Sequence, residues 1–174
     1  MIRLAQEKDF DEILELHRLA FDEEDESDLI KALHQDETAF PLLSIVCEED
    51  NQILGHGLFS KVYLEGAHAY IMSPLGVHPH YQFKGIGKRL IKFGLDYLNK
   101  QNVDLVFVLG DPHYYPQCGF ECNAERLGFI PPHPIPKAYK DAWMVQELCA
   151  NVIGRIKGQV QPNDTLSQIE YWSD

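Results

Sequence analysis

Between an apolar run at residues 69–77 and an amphipathic run at 86–98 lies the hexapeptide Gln82-Phe83-Lys84-Gly85-Ile86-Gly87. A strand that hands over to a helix through two glycines demands an α/β arrangement and leaves an anion site at the handover. The first turn of a helix carries N–H groups with no intrahelical partner, and the helix dipole puts its positive end there. Anions bind such a terminus readily. Gly85 and Gly87 lack the Cβ atoms that would hold a phosphate away, while Lys84, Lys88 and Arg89 add cationic donors. The turn suits a diphosphate. It is not the Rossmann fingerprint, because only GxG is present and Lys88 follows; nor is it a P-loop, because Arg89 stands where GxxxxGK[ST] needs a hydroxyl.

What the turn does match is [Q/R]xxGx[G/A], preceded by a valine strand end and Pro79, and in this form the chain resembles the GCN5-related N-acetyltransferase (GNAT) superfamily. Leu75-Gly76-Val77-His78-Pro79 resembles the end of that family's central strand, which in relatives splays from its neighbour and offers backbone groups to the pantetheine arm. Residues 104–109 look like the next strand. Tyr114-Tyr115-Pro116-Gln117-Cys118-Gly119-Phe120 resembles the aromatic-Tyr-xxx-Gly-Phe element, with Tyr115 in the family position before Gly119. Leu109-Gly110-Asp111-Pro112, together with residues 142–148, resembles the bacterial YhbS-type subgroup. The resemblance implies an acyl-CoA N-acyltransferase fold, α/β with a mixed central sheet flanked by helices, in a single domain spanning 1–174. It further implies direct acetyl transfer, in a ternary complex and without a metal, from acetyl-CoA to an amine on a small molecule, peptide or protein. The residues it assigns to the cofactor are Leu75, Gly76, Val77, Gln82, Phe83, Lys84, Gly85, Ile86, Gly87 and Lys88. Homodimers are common among such relatives, but no sequence feature here identifies a self-complementary surface.

Composition agrees. A chain of 174 residues fits one domain, which at that size buries about 70% of its unfolded surface. No apolar run approaches the roughly 20 residues that cross a membrane. Met1 to Glu7 lack the apolar core of a signal peptide, so the expected location is the cytoplasm. The four cysteines, Cys47, Cys118, Cys122 and Cys149, form no CxxC pair and no zinc spacing, which predicts reduced thiols and no metal. Net charge is 15 minus 27, or -12, and such a field disfavours nucleic acid and anionic membrane as partners. Within it, Asp22-Glu23-Glu24-Asp25-Glu26 reads as a solvated acidic loop before a helix, the alternative being an attractor for a cationic acceptor.

Periodicity predicts a strand at 2–4, a helix at 9–20 with Asp9 as N-cap, and a short helix from residue 27 or 28 to 34. A strand pair follows at 43–48 and 53–63, turning at Glu49-Asp50-Asn51-Gln52 without the ideal Asn-Gly. The helix opened by the glycines buries Ile86, Leu90, Phe93 and Tyr97 and ends near 102. Later strands are expected at 143–148 and 152–157. Four prolines in 128–139 predict a loop, which in the implied layout passes near the acceptor and lets Phe129 and His133 shape its selection.

Acyl transfer sets three tasks: the amine loses a proton, the developing oxyanion needs a donor, and the departing thiolate needs a proton. The N–H of Leu75 or Gly76 suits the second, whereas Pro74 has none to give. Tyr115 is the candidate catalytic acid, since a phenol near pKa 10 stays protonated at neutrality and a thiolate of parent pKa near 8.5 can take its proton. Tyr114 reads as packing. The strand at 69–77 supplies no Glu or Asp as base, leaving His78, His113, Ser73 or a held water. Covalent catalysis by Cys118 would need a histidine and an orienting carboxylate beside it; as a small buried hydrophobe it needs neither. The missing carboxylate also leaves open a non-catalytic, CoA-binding regulatory module.

Overall fold

The computed structural model describes residues 1–173. Its centre is a seven-stranded sheet in the order β1 (Ile2–Leu4), β2 (Leu43–Glu49), β3 (Gln52–Leu64), β4 (Ala67–Val77), β5 (Leu105–Leu109), β7 (Trp143–Glu147). β9 (Gln161–Pro162) continues the β2 side by pairing with the far end of β3. Within this sheet, among the described residues, only β4 and β5 pair in parallel, the crossover being α3 (Ile86–Lys100).

Both faces of the sheet are covered, so its strands are almost continuously apolar and their alternation divides two cores. Val46, Ile71, Leu105, Phe107 and Val145 face α1 (Phe10–Phe21) and α2 (Asp25–His34). Their neighbours Ile45, Met72, Val106, Val108 and Met144 face α3. Ile86 and Leu90 are buried as expected, whereas Phe93 and Tyr97 are only partly so.

Several local expectations change. Asp9 is the N-cap residue of α1 as expected, but its side chain makes no cap bond: its carboxylate accepts the Gln6 N–H (2.7 Å) and pairs with Arg3 (2.8 Å), because a 3-10 turn at Glu7–Asp9 precedes the helix. Helix α2 starts at Asp25, so Asp25 and Glu26 lie in its first turn and not in a loop; acidic side chains favour the positive end of a helix. Asp50 and Asn51 close the β2–β3 hairpin with φ of 50° and 62°, meeting the left-handed demand of such a turn without glycine. No strand forms at 152–157, which holds only an isolated bridge between Ile153 and Ile156; Asn151 just before it and Gly154 within it take left-handed φ values of 66° and 96°. Pairing begins instead at β8 (Gly158–Gln159), parallel to β6 (Phe129–Ile130). The proline segment is thus a loop only from Pro131 to Pro136, giving way to a 3-10 turn at Lys137–Ala142, and Phe129 is core, its ring 5.4 Å from that of Phe107.

Candidate functional site

The β4–β5 ladder covers Ala69, Tyr70 and Ile71 against Leu105, Val106 and Phe107, then stops, although both strands continue. On its other edge β4 pairs Met72 with Phe59 and Leu75 with Gly57, carrying one extra residue around Ser73-Pro74. A proline cannot donate to a ladder, and an extra residue bends its strand. The end of β4 therefore swings away from β5 and opens a cleft between them. Two cavities adjoin there, sharing Leu75 and Phe21 in their linings.

The first cavity, about 530 Å³, lies over the start of α3. Arg89 N makes the helix's first bond, to Gly85 O (3.1 Å), so the N–H groups of Ile86, Gly87 and Lys88 have no carbonyl of the helix to meet. Gly85 has φ of 84°, and a Cβ there would meet no atom within 4 Å. The space above this helix end is open, as a diphosphate requires. Gly87 is needed for a different reason: a Cβ would stand 2.4 Å from the Tyr114 hydroxyl. Gln82 closes the turn by donating Nε2 to Val77 O (3.1 Å). Lys88 lines the cavity and donates to Gln117 Oε1 (2.6 Å).

Leu75, Gly76, Val77, Gln82, Phe83, Gly85, Ile86, Gly87 and Lys88 all line this cavity. Lys84 does not; its ammonium rests over the Tyr81 ring at 5.4 Å. Phe83 is fully exposed, with φ of 63°. Sequence reasoning missed Tyr81, Gln117, Phe21 and Tyr114 as lining residues, and none of them carries a motif signal of its own except Tyr114.

The second cavity, about 640 Å³, is lined by the splayed strand ends, by Tyr115, by Asp25, Glu26 and Asp28 of α2, and by Glu170 and Tyr171 near the C-terminus. The adjacent tyrosines straddle the cleft, Tyr114 on the first cavity and Tyr115 on the second, with ring centroids 5.1 Å apart. Gly110 admits the Tyr115 ring, since a Cβ there would lie 2.5 Å from it. Burial, helped by Tyr114 and Cys118, holds the Tyr115 hydroxyl well above the ordinary phenol range. Burial also weakens the acidity of Glu26, with Glu23 and Asp25 adding to it.

Ser73 lines the second cavity, but His78 and His113 line neither. His78 is turned back to accept the His80 N–H (3.2 Å), and His113 is exposed. His133 is tied to Ser167 O (2.5 Å). The Cys118 thiol is pushed up by burial, which is the wrong direction for a nucleophile. Behind Gly76 lies a buried chain: His17 Nε2 meets His56 Nδ1 (2.9 Å), and His56 Nε2 meets Ser44 Oγ (2.8 Å). Burial lowers both histidines, His17 to about 4.

Residues 10–120 match the family model described as the acetyltransferase (GNAT) family. Over 151 residues, 84% of this chain and 83% of the relative, the sequence is 38% identical to the uncharacterised N-acetyltransferase YjhQ of Escherichia coli K12. It is 34% identical to YhbS of the same strain, over 64% of this chain and 67% of that one. The crystal structure of E. coli YhbS in complex with CoA superposes with a TM-score of 0.86 and 28% identity, over 97% of this chain and 92% of that one. A GNAT family acetyltransferase from Brucella melitensis, in complex with acetyl-CoA, gives a TM-score of 0.74 and 29% identity, over 95% and 97%.

Proposed function

The chain belongs to the acetyltransferase (GNAT) family, and on that premise we propose that it moves an acetyl group from acetyl-CoA to an amine, each substrate entering by its own cavity. The observation that carries this reading is the meeting of the two cavities at the splayed end of β4, with a tyrosine on each side. Acetyl-CoA would lie with its diphosphate over the N-terminus of α3 and its acyl arm along Leu75 to Val77.

In the reaction the amine nitrogen bonds to the acetyl carbon as the carbon–sulfur bond breaks. We assign the amine's proton to a carboxylate of α2, Glu26, which takes the place of the base that β4 lacks. One of its oxygens, Oε2, is buried without a partner, and its weakened acidity suits a base. Tyr115 gives its proton to the departing sulfur and regains one from solvent. Raised by burial, its hydroxyl stays protonated throughout the physiological range. The N–H of Leu75 or Gly76 remains the proposed donor to the carbonyl oxygen. The family match and an open, tyrosine-lined acceptor cavity favour catalysis over a regulatory module.

One sheet gathers strands from Ile2 to Pro162, in keeping with a single domain over 1–174, and both cavities are lined from one chain. No described helix is long and apolar enough to cross a membrane; with its four cysteines free, the protein suits the cytoplasm.

Isothermal titration with acetyl-CoA tests the reading, using wild type and a Gly85→Val variant checked for folding by circular dichroism. Stoichiometric binding that weakens in the variant is expected, together with thiol release when an amine is added. A folded wild type that binds no acetyl-CoA would defeat the assignment.

A further inference from the structure

We propose that Phe21, held in place by His17 behind it, sets the length of the acyl group that this chain transfers and confines it to acetyl. This rests on the acetyltransferase reading and concerns the donor, not the amine.

Among the described residues, Phe21 and Leu75 alone line both cavities, so these two side chains bound the place where the acyl carbon must meet the amine. Strand alternation gives the two walls different characters. Leu75 points to the α3 side, its Cδ1 3.5 Å from where a Cβ of Gly57 would stand and its Cδ2 3.8 Å from where one of Gly87 would stand. Gly76 faces α1 instead, and two rings fill the space of its missing side chain. A Cβ there would lie 2.7 Å from His17 Cε1 and 3.4 Å from Phe21 Cε2. The α1 wall of the passage is therefore aromatic, and it touches the strand along which the acyl arm would run.

That wall is also stiff. Helix α1 ends on Phe21, with Asp22 turning the chain at φ of 53°. Phe21 is 38% exposed, so on its own the ring would be free to turn toward solvent. It stacks instead on His17, 8° from parallel with ring centroids 5.9 Å apart. His17 cannot retreat, because it is fully buried and anchored through His56 to Ser44 by contacts of 2.9 and 2.8 Å. Its Nδ1 is left without a partner, a cost that an apolar side chain in the same space would avoid. What the imidazole adds is a hydrogen bond that fixes the direction of the ring beneath Phe21. Each methylene beyond acetyl has to displace this braced ring, and one methylene too many in an apolar pocket lowers efficiency by about 10- to 200-fold.

The test compares acetyl-, propionyl- and butyryl-CoA, by thiol release with an amine acceptor and by the calorimetric Kd of each thioester. For wild type, kcat/KM is expected to fall about tenfold from acetyl to propionyl and about 100-fold from acetyl to butyryl, with butyryl-CoA binding about tenfold more weakly than acetyl-CoA. Phe21→Ala should bring all three within about threefold of one another by both measures. His17→Ala, which leaves Phe21 present but unbraced, should lower the acetyl-to-butyryl ratio about tenfold. Leu33→Ala, a change at a buried position of α2 that lines neither cavity, should lose stability yet keep the wild-type ratio, a contrast that a merely structural His17 would not show. Should His17→Ala fail to fold, the Phe21→Ala comparison decides alone. Butyryl-CoA that binds or reacts on wild type as well as acetyl-CoA, or a ratio unmoved by Phe21→Ala or by a folded His17→Ala, would overturn the proposal while leaving acetyl transfer intact. If no amine turns over, the Kd ratios decide by the same criteria. Failure to bind any of the thioesters would instead strike the functional reading beneath it.

Discussion

Tyr115 and Tyr114 are adjacent in sequence yet address different cavities, because the 3-10 turn at Tyr115–Cys118 sets their rings at 87° to one another. Replacing Tyr115 with Phe should lower kcat by about 10²- to 10⁴-fold, with the acetyl-CoA Kd held. Loss of acetyl-CoA binding in that variant would make Tyr115 a cofactor contact instead of an acid. The His17–His56 pair predicts a stability profile. Folding depresses the His17 pKa from 6.5 to about 4, so between those values the unfolded chain binds the extra proton and stability rises with pH. His17 alone should make the protein about 2 kcal/mol less stable at pH 5 than at pH 7. Urea unfolding at the two pH values checks this, and a flat profile would mean that the pair accepts a proton without opening.

Helix α3 shows what an element can hide from its own sequence. Its apolar spacing, its glycine-rich start and its place after β4 were all legible, because periodicity and turn chemistry are local. Its closest approach to the sheet was not. At Gly94 a Cβ would stand 2.4 Å from the Phe59 ring, and at Gly55 of β3 one would stand 2.8 Å from Ile86. Gly94→Ala should thus destabilise by about 1–3 kcal/mol through overpacking, although alanine is the better helix former by about 1 kcal/mol. A gain in denaturation midpoint would show that Phe59 can step aside. The second cavity was illegible for a related reason. Asp25 and Glu26 read as solvated charge along the chain and Asp28 as a helix start, and only the packing of α2 beside β4 and the return of Glu170 bring them to one cavity. Tyr115, by contrast, sits in a short motif whose local turn already fixes its direction.

Across the whole molecule, the C-terminal segment is clamped to the region before β2. Asp36 accepts from Thr38 N (3.0 Å) and Thr165 N (2.9 Å) as well as from both hydroxyls. Asn163 Nδ2 reaches Ser60 Oγ at 3.0 Å, and the Trp172 ring packs 5.2 Å from that of Trp143. This clamp positions Glu170 and Tyr171. Asp36→Ala should cost about 1–3 kcal/mol by leaving partly buried donors unmatched, and should raise the KM for the amine while leaving acetyl-CoA affinity alone. A parallel loss of both affinities would show that the clamp supports the entire sheet and not one wall. The two cavities share Leu75 and Phe21 but are otherwise lined by different residues, and on the proposed reading the spent carrier and the acetylated amine leave by separate exits. Neither product has to wait for the other, so CoA should inhibit non-competitively against the amine, and a single compound joining the two substrates through a short tether should occupy both doorways at once.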